Sequence, residues 1–128
     1  VTGSRRAWVT VFVWLAFVEL LTSLPGSALP SFPMLPSWTD KVVHFCMYGM
    51  LGLLLARVGV LQNWSRRRLV LTVVMISLFG VLDELHQLFI PGRSAEAGDW
   101  AMDTLGSAIG FTVVTWAAGT SWGAWLFP

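Results

Sequence analysis

Four apolar runs set what this chain can fold into: Ala7–Leu24, Val42–Leu61, Leu69–Ile90 and Ala101–Ala118. Each is about 18–22 residues long and, as a helix rising ~1.5 Å per residue, matches the ~30 Å hydrocarbon core of a bilayer. A chain of 128 residues that is 55% hydrophobic and only 12% charged is too apolar for a soluble domain. The expectation is an all-α, polytopic membrane protein: one domain over residues 1–128, built as a four-transmembrane-helix bundle. Its helices are expected at about 7–24, 41–61, 69–90 and 100–120. Gly26-Ser27-Ala28 looks like a signal cleavage site, but the run before it exceeds the usual core of about 7–15 residues and carries Glu19. The first run is therefore read as a retained anchor.

Basic residues orient the bundle. Arg5 and Arg6 precede the first run and Arg57, Arg66, Arg67 and Arg68 surround the second turn, together six of the eight Lys and Arg. Only Lys41 and Arg93 fall on the other side. The positive-inside rule places both termini and Arg66–Arg68 in the cytoplasm, which leaves the polar chemistry facing outward. The net charge of +1 says nothing about nucleic acid, but no basic groove with interleaved aromatics is available, so no nucleic-acid partner is expected. Cys46, the lone cysteine, excludes an intrachain disulfide or a cysteine metal cluster and reads as a small packed residue.

Between the runs the sequence turns polar in a patterned way. Pro25, Pro30, Pro33 and Pro36 make the first outward loop extended, and Trp38 closes it as an interfacial anchor. Trp116, Trp122 and Trp125 read as aromatics near the inner surface. Thr39 or Asp40 is expected to cap the second helix. Lys41, His44, Tyr48 and Gly52 then share one stripe, as do Ser77, Gly80, Glu84 and Gln87 on the third helix and Asp99, Asp103, Gly106 and Gly110 on the fourth. Gly49, Gly52 and the Gly106-x-x-x-Gly110 spacing favour close helix approach, and would carry Asp103 inward. Pro91-Gly92 is a turn, and beyond it Arg93 is the one guanidinium on the outward side, suited to a carboxylate or phosphate. A charge at mid-bilayer costs about 2.5–3.5 kcal/mol on insertion scales, so even an off-centre acid such as Glu19 is expected to face the bundle or water; on the third helix Asp83 borders the stripe of Glu84 on its Gln87 flank.

The series Asp40-Lys41-x-x-His44-Phe45-x-x-Tyr48-Gly49-x-Leu51-Gly52, then Asp83-Glu84-x-x-Gln87-x-Phe89-x-Pro91-Gly92-Arg93-Ser94, then Asp99-x-x-x-Asp103-x-x-Gly106-x-x-x-Gly110, resembles the VanZ-like family of bacterial membrane proteins. The likeness covers nearly the whole chain; the family often carries Asn where this chain has Asp103. The resemblance implies a small helical protein of the bacterial cytoplasmic membrane, and its namesake is associated with low-level resistance to the glycopeptide teicoplanin.

Three functions fit the residues. In the first, an outward site binds an anionic membrane lipid or lipid-linked cell-envelope precursor through Lys41, Tyr48, Gln87, Arg93, Asp99 and Asp103, beside His44 and Glu84. In the second, the chain is an intramembrane hydrolase or transferase with Glu84 as acid or base, helped by His44. In the third it is a structural or partner-binding module whose polar residues fix helix packing. No metal or cofactor is assigned: HExxH-type spacing is missing, although His44, Glu84 and Asp99 or Asp103 match a divalent ion in ligand type.

Overall fold

The structure, a computed structural model, describes residues 2–28, 36 and 38–120. Pro30, Pro33, Trp122 and Trp125 lie outside the described residues. The chain is four long helices, α1 (Thr2–Thr22), α2 (Thr39–Leu61), α3 (Arg66–Gln87) and α4 (Ala97–Ala118), with a 3₁₀ turn at Gly26–Ala28. No strand occurs among the described residues. Two of the helices, α2 with 23 residues and α3 with 22, are long and apolar enough to cross a membrane. The other two have the length but a more mixed composition. α1 opens on Gly3-Ser4-Arg5-Arg6, and α4 mixes Gly, Ser and Thr with Asp99 and Asp103.

Local chemistry explains where the helices begin. Ser65 is extended and its Oγ accepts the Arg68 N–H at 3.4 Å, so α3 starts at Arg66, a turn ahead of its apolar run. The turn before it is closed by Trp64 N–H donating to the Gly59 carbonyl at 2.9 Å, with Asn63 at φ 51°, a conformation that asparagine tolerates. Trp38 occupies the N-cap of α2 without a side-chain bond, so neither Thr39 nor Asp40 makes the expected cap. α4 is likewise entered without its own capping side chain. Its N-cap residue, Glu96, is instead held by Glu84 of α3, through a bond described below.

α2 is the central element. Towards α4 it presents glycine, and the two backbones touch. A Cβ on Gly52 would collide with the Ser107 carbonyl, one on Gly106 with that of Phe45, and one on Gly110 with that of Gly49. Only residues without a side chain permit this approach. Towards α1 the packing is by side chains: Ala7, Val11 and Val18 meet Met47, Tyr48, Leu51 and Val58, joined by Ile76 of α3. Trp14 Nε1 donates to the Met47 carbonyl at 3.0 Å and pins α1 along α2. Outward, the helices carry bare apolar rows, among them Phe12, Val13 and Leu20 on α1, Val70, Met75 and Leu82 on α3, and Ile109, Val113 and Trp116 on α4. Cys46 belongs to such a row, with Val42, Val43 and Met50, and is exposed rather than packed. Its position on the α2 face turned away from both α1 and α4 is what the sequence alone did not reveal.

The ends of the bundle differ in charge. Arg66, Arg67 and Arg68 gather at one end, where Gln62 Nε2 donates to Ser4 Oγ at 2.7 Å and Arg68 lies 5.5 Å from the Trp64 ring centre. Lys41, Glu96, Asp99 and Arg93 gather at the other. Gly106→Leu is expected to lower the melting temperature in detergent sharply, by overpacking of about 1–3 kcal/mol or more. Gly3→Ala, where nothing lies within 4 Å of the added methyl, should leave it unchanged or slightly higher. Equal melting of Gly106→Leu and wild type would contradict the backbone contact.

Candidate functional site

Because α2 lies against α4 at backbone distance, the polar stripe of α2 meets acids one turn at a time. Lys41 Nζ lies 2.9 Å from Glu96 Oε2 and 3.1 Å from Asp99 Oδ1. One turn deeper, His44 Nδ1 lies 2.9 Å from Asp103 Oδ1, and one proton shared between them makes that bond. A further turn down, Tyr48 OH donates to Asp83 Oδ2 at 3.1 Å. The first two rungs join α2 to α4 and the third joins α2 to α3. All but Lys41 and Glu96 are buried: His44, Tyr48, Asp83, Asp99 and Asp103 are each at most 3% exposed.

The upper end of α3 completes the cluster. Glu84 Oε2 accepts the Glu96 backbone N–H at 2.7 Å, which satisfies a donor at the start of α4 and fixes the α3–α4 loop. Arg93 donates through Nε and Nη2 to Gln87 Oε1, at 3.2 and 2.9 Å. None of the ion pairs among the described residues involves Arg93. The loop is held from the side as well. Gly26 N–H donates to the Pro91 carbonyl at 3.0 Å, and a Cβ on Gly26 would strike the Gly92 carbonyl. Gly92 itself turns at φ +74°, which glycine adopts without strain.

Two recesses open at this end. A polar cavity of about 250 Å³ is lined by Gly26, Asp40, Gln87, Arg93, Glu96 and Asp99, among others. Beside it, an apolar cleft of about 200 Å³ runs between α3 and α4 and includes Glu84 and Trp100. Glu96 borders both. Several buried atoms have no hydrogen-bond partner among the described residues: Asp83 Oδ1, Glu84 Oε1, His86 Nδ1, Gln87 Nε2 and Asp103 Oδ2. Groups of this kind are scarce in folded proteins, because a lost bond is not replaced by water. At the rim, the Lys41 ammonium holds the Glu96 carboxyl below the usual carboxylate range.

The geometry brings the sequence-identified residues to one end and pairs them: Lys41 with Asp99, His44 with Asp103, Gln87 with Arg93, and Tyr48 with an acid that the sequence placed only at the border of a stripe. That acid is Asp83. Its signal was present in the spacing Ile76, Gly80, Asp83, Gln87, all buried in α3. Ser77, the base of the stripe read from sequence, instead serves packing at the flank: its Oγ is 2.8 Å from Thr104 Oγ1, and its carbonyl accepts from Trp100 Nε1 at 3.1 Å. Glu19 takes no part in the cluster's hydrogen bonds.

Fold and site together define a small all-helical protein that buries carboxylates between three helices at one end and gathers arginine at the other. The chain belongs to the VanZ/LLP1 family, whose family model matches residues 4–118. No curated protein and no solved structure matches it.

Two outcomes test the ladder. Tyr48→Phe leaves the Asp83 carboxyl buried without its donor and should destabilise the protein by about 1–3 kcal/mol in detergent unfolding. The rim pair is read by pH. A carboxyl held low in the folded protein contributes stability that is full above its unfolded value, near 4.5, and is lost as pH falls through the lower folded one. Glu96→Gln should therefore flatten the fall in melting temperature below about pH 4.5. A variant with an unchanged acid limb would rule out the Lys41–Glu96 contribution.

Proposed function

We propose that this protein spans the bacterial cytoplasmic membrane four times, with both termini and the arginine end in the cytoplasm. Its polar end then faces outward and holds the phosphate of an anionic membrane lipid or lipid-linked cell-envelope precursor. The apolar rows on all four helices support the four spans, since contiguous patches of that extent are unusual on soluble monomers. The segregation of arginines from the acidic cluster supports the orientation.

One observation carries the ligand reading. Arg93, half-buried at the wall of the polar cavity, is bonded to a neutral amide and to no carboxylate, in a region dense with carboxylates. Lys41 already occupies Glu96 and Asp99, which turns two of the cavity's acids towards an internal cation. A guanidinium left in this state keeps its charge and donors for a phosphate oxygen. The cavity is smaller than the roughly 300–1,000 Å³ of drug-sized sites, which suits a headgroup phosphate. The neighbouring apolar cleft, sharing Glu96, is placed for an acyl or polyprenyl chain. In this reading Gln87 aims Arg93, and Lys41, His44, Tyr48, Asp99 and Asp103 hold the wall in place.

Native mass spectrometry of protein from mild detergent, offered phosphatidylglycerol or undecaprenyl phosphate, tests it. Wild type is expected to retain a phosphate-bearing lipid, and Arg93→Gln to retain it at least about tenfold less, the loss of one charge-assisted contact. Equal retention would exclude Arg93 as the anchor. The teicoplanin association belongs to the same reading: cells carrying Arg93→Gln should lose any shift in teicoplanin susceptibility that wild type confers.

A further inference from the structure

We propose that His44, Glu84 and Asp103 form a site for one divalent transition-metal ion, Zn²⁺ or Mn²⁺, in the interior beneath the polar cavity. The site is independent of any bound lipid, because none of the three residues needs a headgroup to meet the others. They come from α2, α3 and α4, and one ligand atom from each lies within 4.8 Å of the other two. Ligands drawn from three helices leave no local spacing in the sequence, which is why no metal motif is visible there.

The arrangement is more than a group of acids. Glu84 is 6% exposed and Asp103 0%, yet Glu84 Oε1 and Asp103 Oδ2 have no hydrogen-bond partner among the described residues. Each carboxylate thus spends one oxygen on the protein, on Glu96 N–H and on His44, and keeps the other unspent in the interior. Buried carboxylates are ordinarily paired or coordinate a metal. Here Asp83 and Asp99 add two more buried acids, whereas Lys41 sits at the rim and is committed to Glu96 and Asp99. A divalent ion between Glu84 and Asp103 would supply the missing positive charge where the ammonium does not reach.

The donor set selects the ion. One imidazole with two carboxylates suits Zn²⁺ or Mn²⁺; Mg²⁺ and Ca²⁺ prefer oxygen alone, and Cu⁺ prefers thiolate. Opposite Asp103 stands Gly80, whose added Cβ would lie 3.3 Å from Oδ2, so a glycine keeps that oxygen uncrowded.

The test uses full-length protein purified without chelator, metal-stripped and reloaded. Zn²⁺ affinity is measured by competition with a chromophoric chelator, and the Mn²⁺-loaded protein is examined by electron spin-echo spectroscopy for coupling to imidazole nitrogen. Wild type is expected to bind one Zn²⁺ and to show a single imidazole coupling. His44→Gln should abolish the coupling, and both it and Glu84→Gln should weaken Zn²⁺ by more than about tenfold, since even outer partners of a metal command about 10–100-fold. His86→Gln and Asp40→Asn should change neither. Gly80→Ala, which crowds Asp103 without removing a ligand, should weaken binding while retaining a cooperative melt, so the proposal stays testable if a ligand variant fails to fold. Absence of binding or of nitrogen coupling in wild type would overturn it. So would coupling lost in His86→Gln, or binding that depends on Asp40, which would move the ion to the Asp40–His44–Asp99 group at the rim.

Discussion

The structure depends on one contact, the backbone of α2 lying directly on that of α4. Gly52, Gly106 and Gly110 have no side chains to hold the helices apart, so carbonyls of one helix fill the space where the other would carry a Cβ. In a membrane this replaces the hydrophobic drive that lipid removes, because association there rests on close packing and interhelical bonds. The same contact decides the chemistry. It brings Lys41 and His44 within hydrogen-bonding distance of Asp99 and Asp103, and it commits the buried end to a layered network rather than to a loose polar patch. Stability and site geometry therefore share an origin.

The network is incomplete in a consistent way. A purely structural polar core gains most when every donor and acceptor is bonded, and a half-satisfied one is worse than an apolar core. Here three buried carboxylates are bonded on one side only, with Asp83, Glu84 and Asp103 each keeping a buried oxygen without a partner among the described residues. Arg93 shows the complementary state, a cation held by an amide alone. Unspent acceptors inside and an uncompensated cation at the rim give the end of the bundle two different appetites, one for a cation and one for an anion. A ligand site accounts for both more simply than packing does.

Much of this was legible in the sequence, and the reasons for the rest are physical. The helices follow from run length, and the stripe of Lys41, His44 and Tyr48 follows from helical spacing, because α2 is regular through all three. The glycine spacings announced close approach, though not that α2 and α4 were the pair. Asp83 stood at the border of the stripe because a line drawn through Ser77 and Glu84 differs by one position from one through Ile76 and Asp83, and only the neighbours of α3 fix which face is inward. The Glu84 bond to the Glu96 backbone was out of reach, because it depends on the path of the loop and not on side-chain identity. Cys46 shows the converse: a small apolar residue in an apolar run carries no sign of whether it meets protein or lipid.

We propose that the end bearing Arg93 holds a phosphate lipid that the rest of the surface does not select. A photoreactive residue placed at Ser94, exposed beside the cavity, and in a second protein at Leu78, exposed midway along α3, compares the two surfaces in native membranes. After illumination, mass spectrometry of the adducts should show a phosphate-bearing lipid enriched at Ser94 over its share at Leu78, and that enrichment should vanish when Arg93→Gln is added. Adducts of the same composition at both positions, unaffected by Arg93→Gln, would contradict the claim and return the polar end to a role in helix packing.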